Sequence, residues 1–145
     1  MPRGPRCNAA RRRSTVLCGQ ATRICSRVVS ASRALRSSNL RLAAAKRVYD
    51  AANRRCSNAR RACRLAQQRA ATAKRQAVAL QRRSAQLCRN ATRICALVRV
   101  PRRRYLSAKA VKDRAQRNYN AARTACNNAR RACVNARRTA TRICR

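Results

Sequence analysis

Ten cysteines stand in the chain, at Cys7, Cys18, Cys25, Cys56, Cys63, Cys88, Cys95, Cys126, Cys133 and Cys144. The steps between them are 11, 7, 31, 7, 25, 7, 31, 7 and 11. Steps of 7, 11 and 25 are close to whole numbers of helical turns at about 3.6 residues per turn, so within each run the thiols share one helix face. A step of 31 is about 8.6 turns and carries the next thiol to the opposite side. The spacing predicts helices stapled to each other by disulfides, with the chain reversing inside the two long steps.

Composition shows why staples are needed. The 145 residues amount to about one domain. They include 39 basic and 2 acidic side chains, a formal charge of +37. The acids are Asp50 and Asp113, and the only lysines are Lys46, Lys74, Lys109 and Lys112. The other basic residues are arginine, whose planar five-donor fork matches phosphate and carboxylate. The hydrophobic fraction of 46% consists mostly of Ala and Cys. At about 25 cal/mol per Å² of buried apolar surface, alanine contributes little against such self-repulsion. A disulfide contributes about 2–4 kcal/mol. An even number of cysteines fits five bonds and an oxidising setting. No apolar run is long enough to span a membrane. The start, Met1-Pro2-Arg3-Gly4-Pro5-Arg6, lacks the apolar segment of a secretion signal. A virus particle, or alternatively a compacted nucleus, reconciles oxidation with the absence of that signal.

With the numbering shifted by 70, the chain matches itself. Leu17-Cys18-Gly19-Gln20-Ala21-Thr22-Arg23-Ile24-Cys25 recurs as Leu87-Cys88-Arg89-Asn90-Ala91-Thr92-Arg93-Ile94-Cys95. Tyr49 answers to Tyr119, and Cys56 to Cys63 answers to Cys126 to Cys133. Ala-Thr-Arg-Ile-Cys appears a third time at Ala140 to Cys144. Residues 1–145 therefore read as one elongated helical domain made of two repeats, about 1–70 and 71–145. Small residues alternate at steps of 4 and 3, the pattern of a heptad seam. One such run is Ala45, Tyr49, Ala52, Cys56, Ala59, Cys63, Ala66, Ala70, Ala73, Ala77, Leu80. Another is Ala115, Tyr119, Ala122, Cys126, Ala129, Cys133, Ala136, Ala140, Ile143, and a first is Cys18, Ala21, Cys25, Val28, Ser32, Leu35. Small seam residues let two helices approach closely enough for the short Cα–Cα distance of a disulfide.

The expected fold is all-α: two antiparallel helical hairpins sharing one long central helix over about 42–99. Its staples are Cys18–Cys63, Cys25–Cys56, Cys88–Cys133, Cys95–Cys126 and Cys7–Cys144. Reversals are expected at Ser37-Ser38-Asn39, where turn and cap residues cluster, and near residue 110. Pro101 either starts an extended arm to about Leu106 or kinks a longer helix. The cysteines are also mirror-symmetric about position 75.5. Pairing Cys63–Cys88, Cys56–Cys95, Cys18–Cys133 and Cys25–Cys126 is the alternative, a compact four-helix bundle. Intermolecular bonds or free thiols form a third possibility.

Catalytic chemistry has little to work with. There is no His or Glu, and the only glycines are Gly4 and Gly19. No enzyme activity, cofactor, metal or small-molecule substrate is expected. The cysteine spacing is too wide for the usual zinc sites. The charge points instead to a polyanion. Its candidate contacts are the clustered arginines: Arg11, Arg12, Arg13, Arg54, Arg55, Arg60, Arg61, Arg82, Arg83, Arg102, Arg103, Arg104, Arg130, Arg131, Arg137 and Arg138. The expected function is non-enzymatic packaging of nucleic acid without sequence specificity, inside a virion or similar particle. The alternative is a minor capsid or cement scaffold whose arginines dock on acidic capsid proteins or lipid head groups. Either way the chain belongs to a large assembly.

Overall fold

The computed structural model describes residues 4–73 and 77–145. The fold is all-helical, with α1 over Pro5–Thr72, α2 over Ala77–Ala96 and α3 over Arg99–Ile143. Among the described residues there is no strand. The chain forms two compact units, Met1–Ser38 with Lys112–Arg145, and Asn39–Val111. In each unit the disulfides hold helical segments side by side and antiparallel. Cys7–Cys144, Cys18–Cys133 and Cys25–Cys126 staple the first unit. Cys56–Cys95 and Cys63–Cys88 staple the second.

A heptad explains how these helices meet. Every described residue at a multiple of seven, from Cys7 to Ala140, is buried or half-buried. So is every described residue three places later, except Ile143, which the sequence placed in the seam and which is exposed. The buried residues are small: Ala21, Ala91, Ala115, Ala140, Cys7, Cys56, Cys126, Cys133, Ser38 and Ser84. Cα atoms of bonded cysteines lie 4.6–5.0 Å apart. With Cα atoms about 2.3 Å from each helix axis, the axes are at most roughly 10 Å apart there. Leucine layers would hold the helices further apart.

Each disulfide joins a cysteine at a multiple of seven (Cys7, Cys56, Cys63, Cys126, Cys133) to one four places past such a multiple. All five bonds therefore lie on the same side of their helix pair. The repeat shift turns Cys18–Cys133 into Cys88–Cys63, and Cys25–Cys126 into Cys95–Cys56. The equivalence extends to close contacts. Cys25 Sγ lies 3.7 Å from the Cys126 carbonyl oxygen, and Cys95 Sγ lies 3.6 Å from that of Cys56. Each unit thus pairs a segment of one repeat with a segment of the other.

Of the five expected bonds only Cys7–Cys144 is present. Cys18–Cys63, Cys25–Cys56, Cys88–Cys133 and Cys95–Cys126 are replaced by the mirror-symmetric set. The reason is where the chain turns. The segment Ser37-Ser38-Asn39 does not reverse it, because Ser38 belongs to the seam and its hydroxyl donates to the Ala34 carbonyl at 2.9 Å. That back-bond satisfies the buried hydroxyl inside a continuing helix. Helix α3 likewise runs through residue 110. The expected central helix over 42–99 is instead divided between α1, which ends at Thr72, and α2, which begins at Ala77 and runs antiparallel to it, with residues 74–76 outside the described residues. Thr72 Oγ1 donates to the carbonyls of Gln68 and Arg69 at 3.1 and 3.3 Å, the same back-bond that threonines make in mid-helix. The four pairings of the alternative four-helix bundle are the ones formed.

Pro101 lies within α3 and starts no extended arm, and the helix is interrupted just before it, at Leu97 and Val98. Its ring would clash with the carbonyl of Leu97, and α2 ends at Ala96. Val98 N donates to the Cys95 carbonyl at 3.2 Å, a tightened last turn. Pro101 then lies in the first turn of α3, where a missing N–H costs little. The heptad keeps its phase across this break, through Val98, Pro101 and Tyr105. Tyr105 stacks on Tyr49, with ring centroids 5.4 Å apart.

The thrice-repeated Ala-Thr-Arg-Ile-Cys phrase has one local geometry. Its alanines, Ala21, Ala91 and Ala140, are buried. Its threonines donate to the carbonyl four residues earlier: Thr22 to Cys18, Thr92 to Cys88, Thr141 to Arg137. Its arginines, Arg23, Arg93 and Arg142, are exposed, and its cysteines are bonded.

Candidate polyanion-binding surface

Because the seam takes so few positions per heptad, most of each helix surface faces solvent. Every described arginine is exposed. Adjacent helical residues point about 100° apart, so a doublet covers two neighbouring sides of its helix. The positive charge is therefore wrapped around the helices, not confined to a stripe.

On the stapled side of the first unit, Arg11 from α1 and Arg137 from α3 meet in a cleft of about 430 Å³ with Ser14, Thr141 and Arg145. Beside it Arg137 and Arg138 share a cleft of about 460 Å³ with Arg142, Arg145 and Val134. In the second unit Arg82 and Arg83 line a shallow cleft of about 910 Å³ on α2 with Arg89 and Arg93. Such groups of guanidinium forks, with no Asp or Glu in the same cleft, can receive phosphate or carboxylate oxygens from several directions. Arg13 faces another groove, on the side away from the disulfides. Arg12, Arg54, Arg55, Arg60, Arg61, Arg102, Arg103, Arg104, Arg130 and Arg131 stand exposed along α1 and α3, outside these clefts.

Four cleft residues, Arg89, Arg93, Arg142 and Arg145, are single arginines that a search for doublets and triplets passes over. Their signal is helical spacing: Arg89 and Arg93, or Arg138 and Arg142, are four apart and so share a face. The two acids, Asp50 and Asp113, are half-buried near the seam. Among the described residues no group of His, Cys, Asp or Glu is arranged to hold a metal ion. No described helix is long and apolar enough to cross a membrane. Compared with protein families, curated proteins and solved structures, the chain matches none.

Proposed function

We propose that the chain is a non-enzymatic, disulfide-locked, duplicated helical scaffold that binds a polyanion without sequence specificity, and that the polyanion is nucleic acid packaged in a virion or similar particle. One observation carries the reading: a surface on which every described arginine is exposed and on which positive charge, opposed by one half-buried acid in each unit, surrounds both helices. With a formal charge of +37, such a surface repels itself and gains most from a partner of regular, dense negative charge. Nucleic acid backbones supply about one charge per 1.7 Å of duplex. Arginine wrapped around a helix suits contacts to phosphate from any approach. A base-reading helix instead needs a few side chains of mixed chemistry on one face, and such contacts alone carry sequence information.

The disulfides fit this role physically. They hold the helices together before any anion has neutralised them, so the charge is displayed at fixed spacing. The test is binding of the purified, oxidised protein to random-sequence duplex DNA in low salt. The expected result is tight binding in which unrelated sequences compete equally. Failure to bind at low salt, or strong preference for one sequence, sinks the reading.

A further inference from the structure

On the side away from the disulfides, each unit has a groove between its two antiparallel helices. In the first unit the groove has a volume of about 560 Å³, with a floor that includes Ala10, Leu17, Ala132 and Ala136, and Arg6 and Arg13 at its edge. In the second unit a groove of about 320 Å³ is lined by Leu80, Leu87, Ala62 and Ala66, with Arg69 and Arg83. These are the same place twice. The repeat shift takes Leu17 to Leu87, Arg13 to Arg83, Ala132 to Ala62 and Ala136 to Ala66.

The phosphate-binding reading does not account for these grooves, since a nucleic acid backbone gains nothing from a floor of alanine and leucine. We propose that the groove of each unit is a docking site for an acidic amphipathic helix of a partner protein. Shape and charge select this occupant. An open trough between two antiparallel helices, floored by alanine, lets a third helix approach closely and bury an apolar ridge. Leu17 and Leu87 give that ridge its contact. The arginines at the edge require negative charge beside the ridge. In the first unit Arg6 and Arg13 are two helical turns apart, about 10.5 Å, a spacing that acidic residues seven apart on the docked helix reproduce, while in the second unit Arg83 recurs and Arg69 lines the groove from the other helix. A second copy of this chain is excluded as occupant by charge, because it brings +37 against +37.

The test uses the oxidised full-length protein and a synthetic helix with leucines on one face and glutamates on the other. Polyglutamate of equal charge and phosphatidylglycerol vesicles are the comparisons. Titration calorimetry is run at a salt concentration that already releases polyglutamate. The expected result is two peptides bound per chain, with a gain of peptide helicity. Leu17→Arg and Leu87→Arg each remove one of the two sites, weakening it at least about tenfold through the lost apolar burial. Arg13→Glu and Arg83→Glu, at exposed positions that leave the seam intact, weaken the same sites. Val29→Arg, outside the groove, leaves both sites unchanged. The proposal is overturned if the peptide dissociates together with polyglutamate, if none of the four groove variants changes the stoichiometry or affinity, or if the vesicles bind where the peptide does not. Duplex DNA binding, measured separately on the same variants, distinguishes failure of this proposal from failure of the packaging reading.

Discussion

Gly19 is an exposed glycine inside α1, and a Cβ built on it meets nothing within 4 Å. Its counterpart in the other repeat is Arg89. Gly19→Ala should therefore raise stability by about 0.5–1 kcal/mol, because the backbone loses less freedom on folding while no contact is disturbed. Denaturant titration of the oxidised protein measures this. The cysteines invite a different test, since Cys56–Cys95 and Cys63–Cys88 lie two turns apart on the same helix pair. Removing one bond with serine at both ends leaves its neighbour to hold the register. Each single deletion should cost no more than about 2–3 kcal/mol. Deleting both should cost clearly more than the sum, because only then do the helices of the second unit separate freely in the unfolded chain. Additive losses in a double-mutant cycle contradict that account. The seam was readable in the runs from Ala45 and from Ala115, but in the first run the sequence placed Cys18, Cys25 and Ser32 where the heptad takes Leu17, Ile24 and Ala31. Ile143, which the sequence also placed in the seam, is exposed.

At the scale of the helices, the turn points decided the structure and were the hardest thing to read. Both pairing schemes place every cysteine at equivalent heptad positions, so thiol phase alone does not choose between them. The choice rests on which of three weak break points reverses the chain. Ser37-Ser38-Asn39 has turn-forming residues, but the heptad passes through Ser38 unbroken, and its hydroxyl is satisfied within the helix. Pro101 has the strongest breaking chemistry, yet it falls where a helix start tolerates proline. α1 ends at Thr72 and the antiparallel α2 begins at Ala77, in a stretch of sequence with neither glycine nor proline. No local signal marks it. What marks it is global: the mirror symmetry of all ten cysteines. Two expectations follow. Pro101→Ala supplies the missing N–H and removes the clash with the Leu97 carbonyl, so α2 and α3 should join. Hydrogen exchange should then show protection at residue 101 with an unchanged disulfide map, and a fraying helix start in its place contradicts the explanation. Non-reducing peptide mapping of the native protein should recover Cys63–Cys88 and Cys25–Cys126, and recovery of Cys18–Cys63 would falsify the observed register.

For the molecule as a whole, the opposing terms are a thin seam and a large charge. Among the described residues no side chain is fully buried. Disulfides therefore carry stability that a larger core supplies elsewhere. Cys7–Cys144 has a particular place in this. It joins residues 137 apart in sequence, so in the oxidised protein the backbone and this bond form a loop. Reduction should cost helix content, most severely at low ionic strength, where repulsion among the arginines is least screened. Circular dichroism of reduced protein across a salt series checks this, with helicity rising as salt is added. A reduced protein that keeps its full helicity at low salt shows that the seam alone suffices.

The same charge sets the central functional test, the salt dependence of binding by the oxidised protein to random-sequence duplex DNA. The logarithm of the binding constant should fall linearly with the logarithm of salt concentration, with a slope of about −0.9 for each phosphate neutralised. For the arginines clustered here, at least about six to ten phosphates should be engaged, so affinity should drop roughly 10³–10⁵-fold between about 50 and 200 mM salt. Absence of binding at low salt, or an affinity that salt leaves unchanged, contradicts a polyanion-binding scaffold.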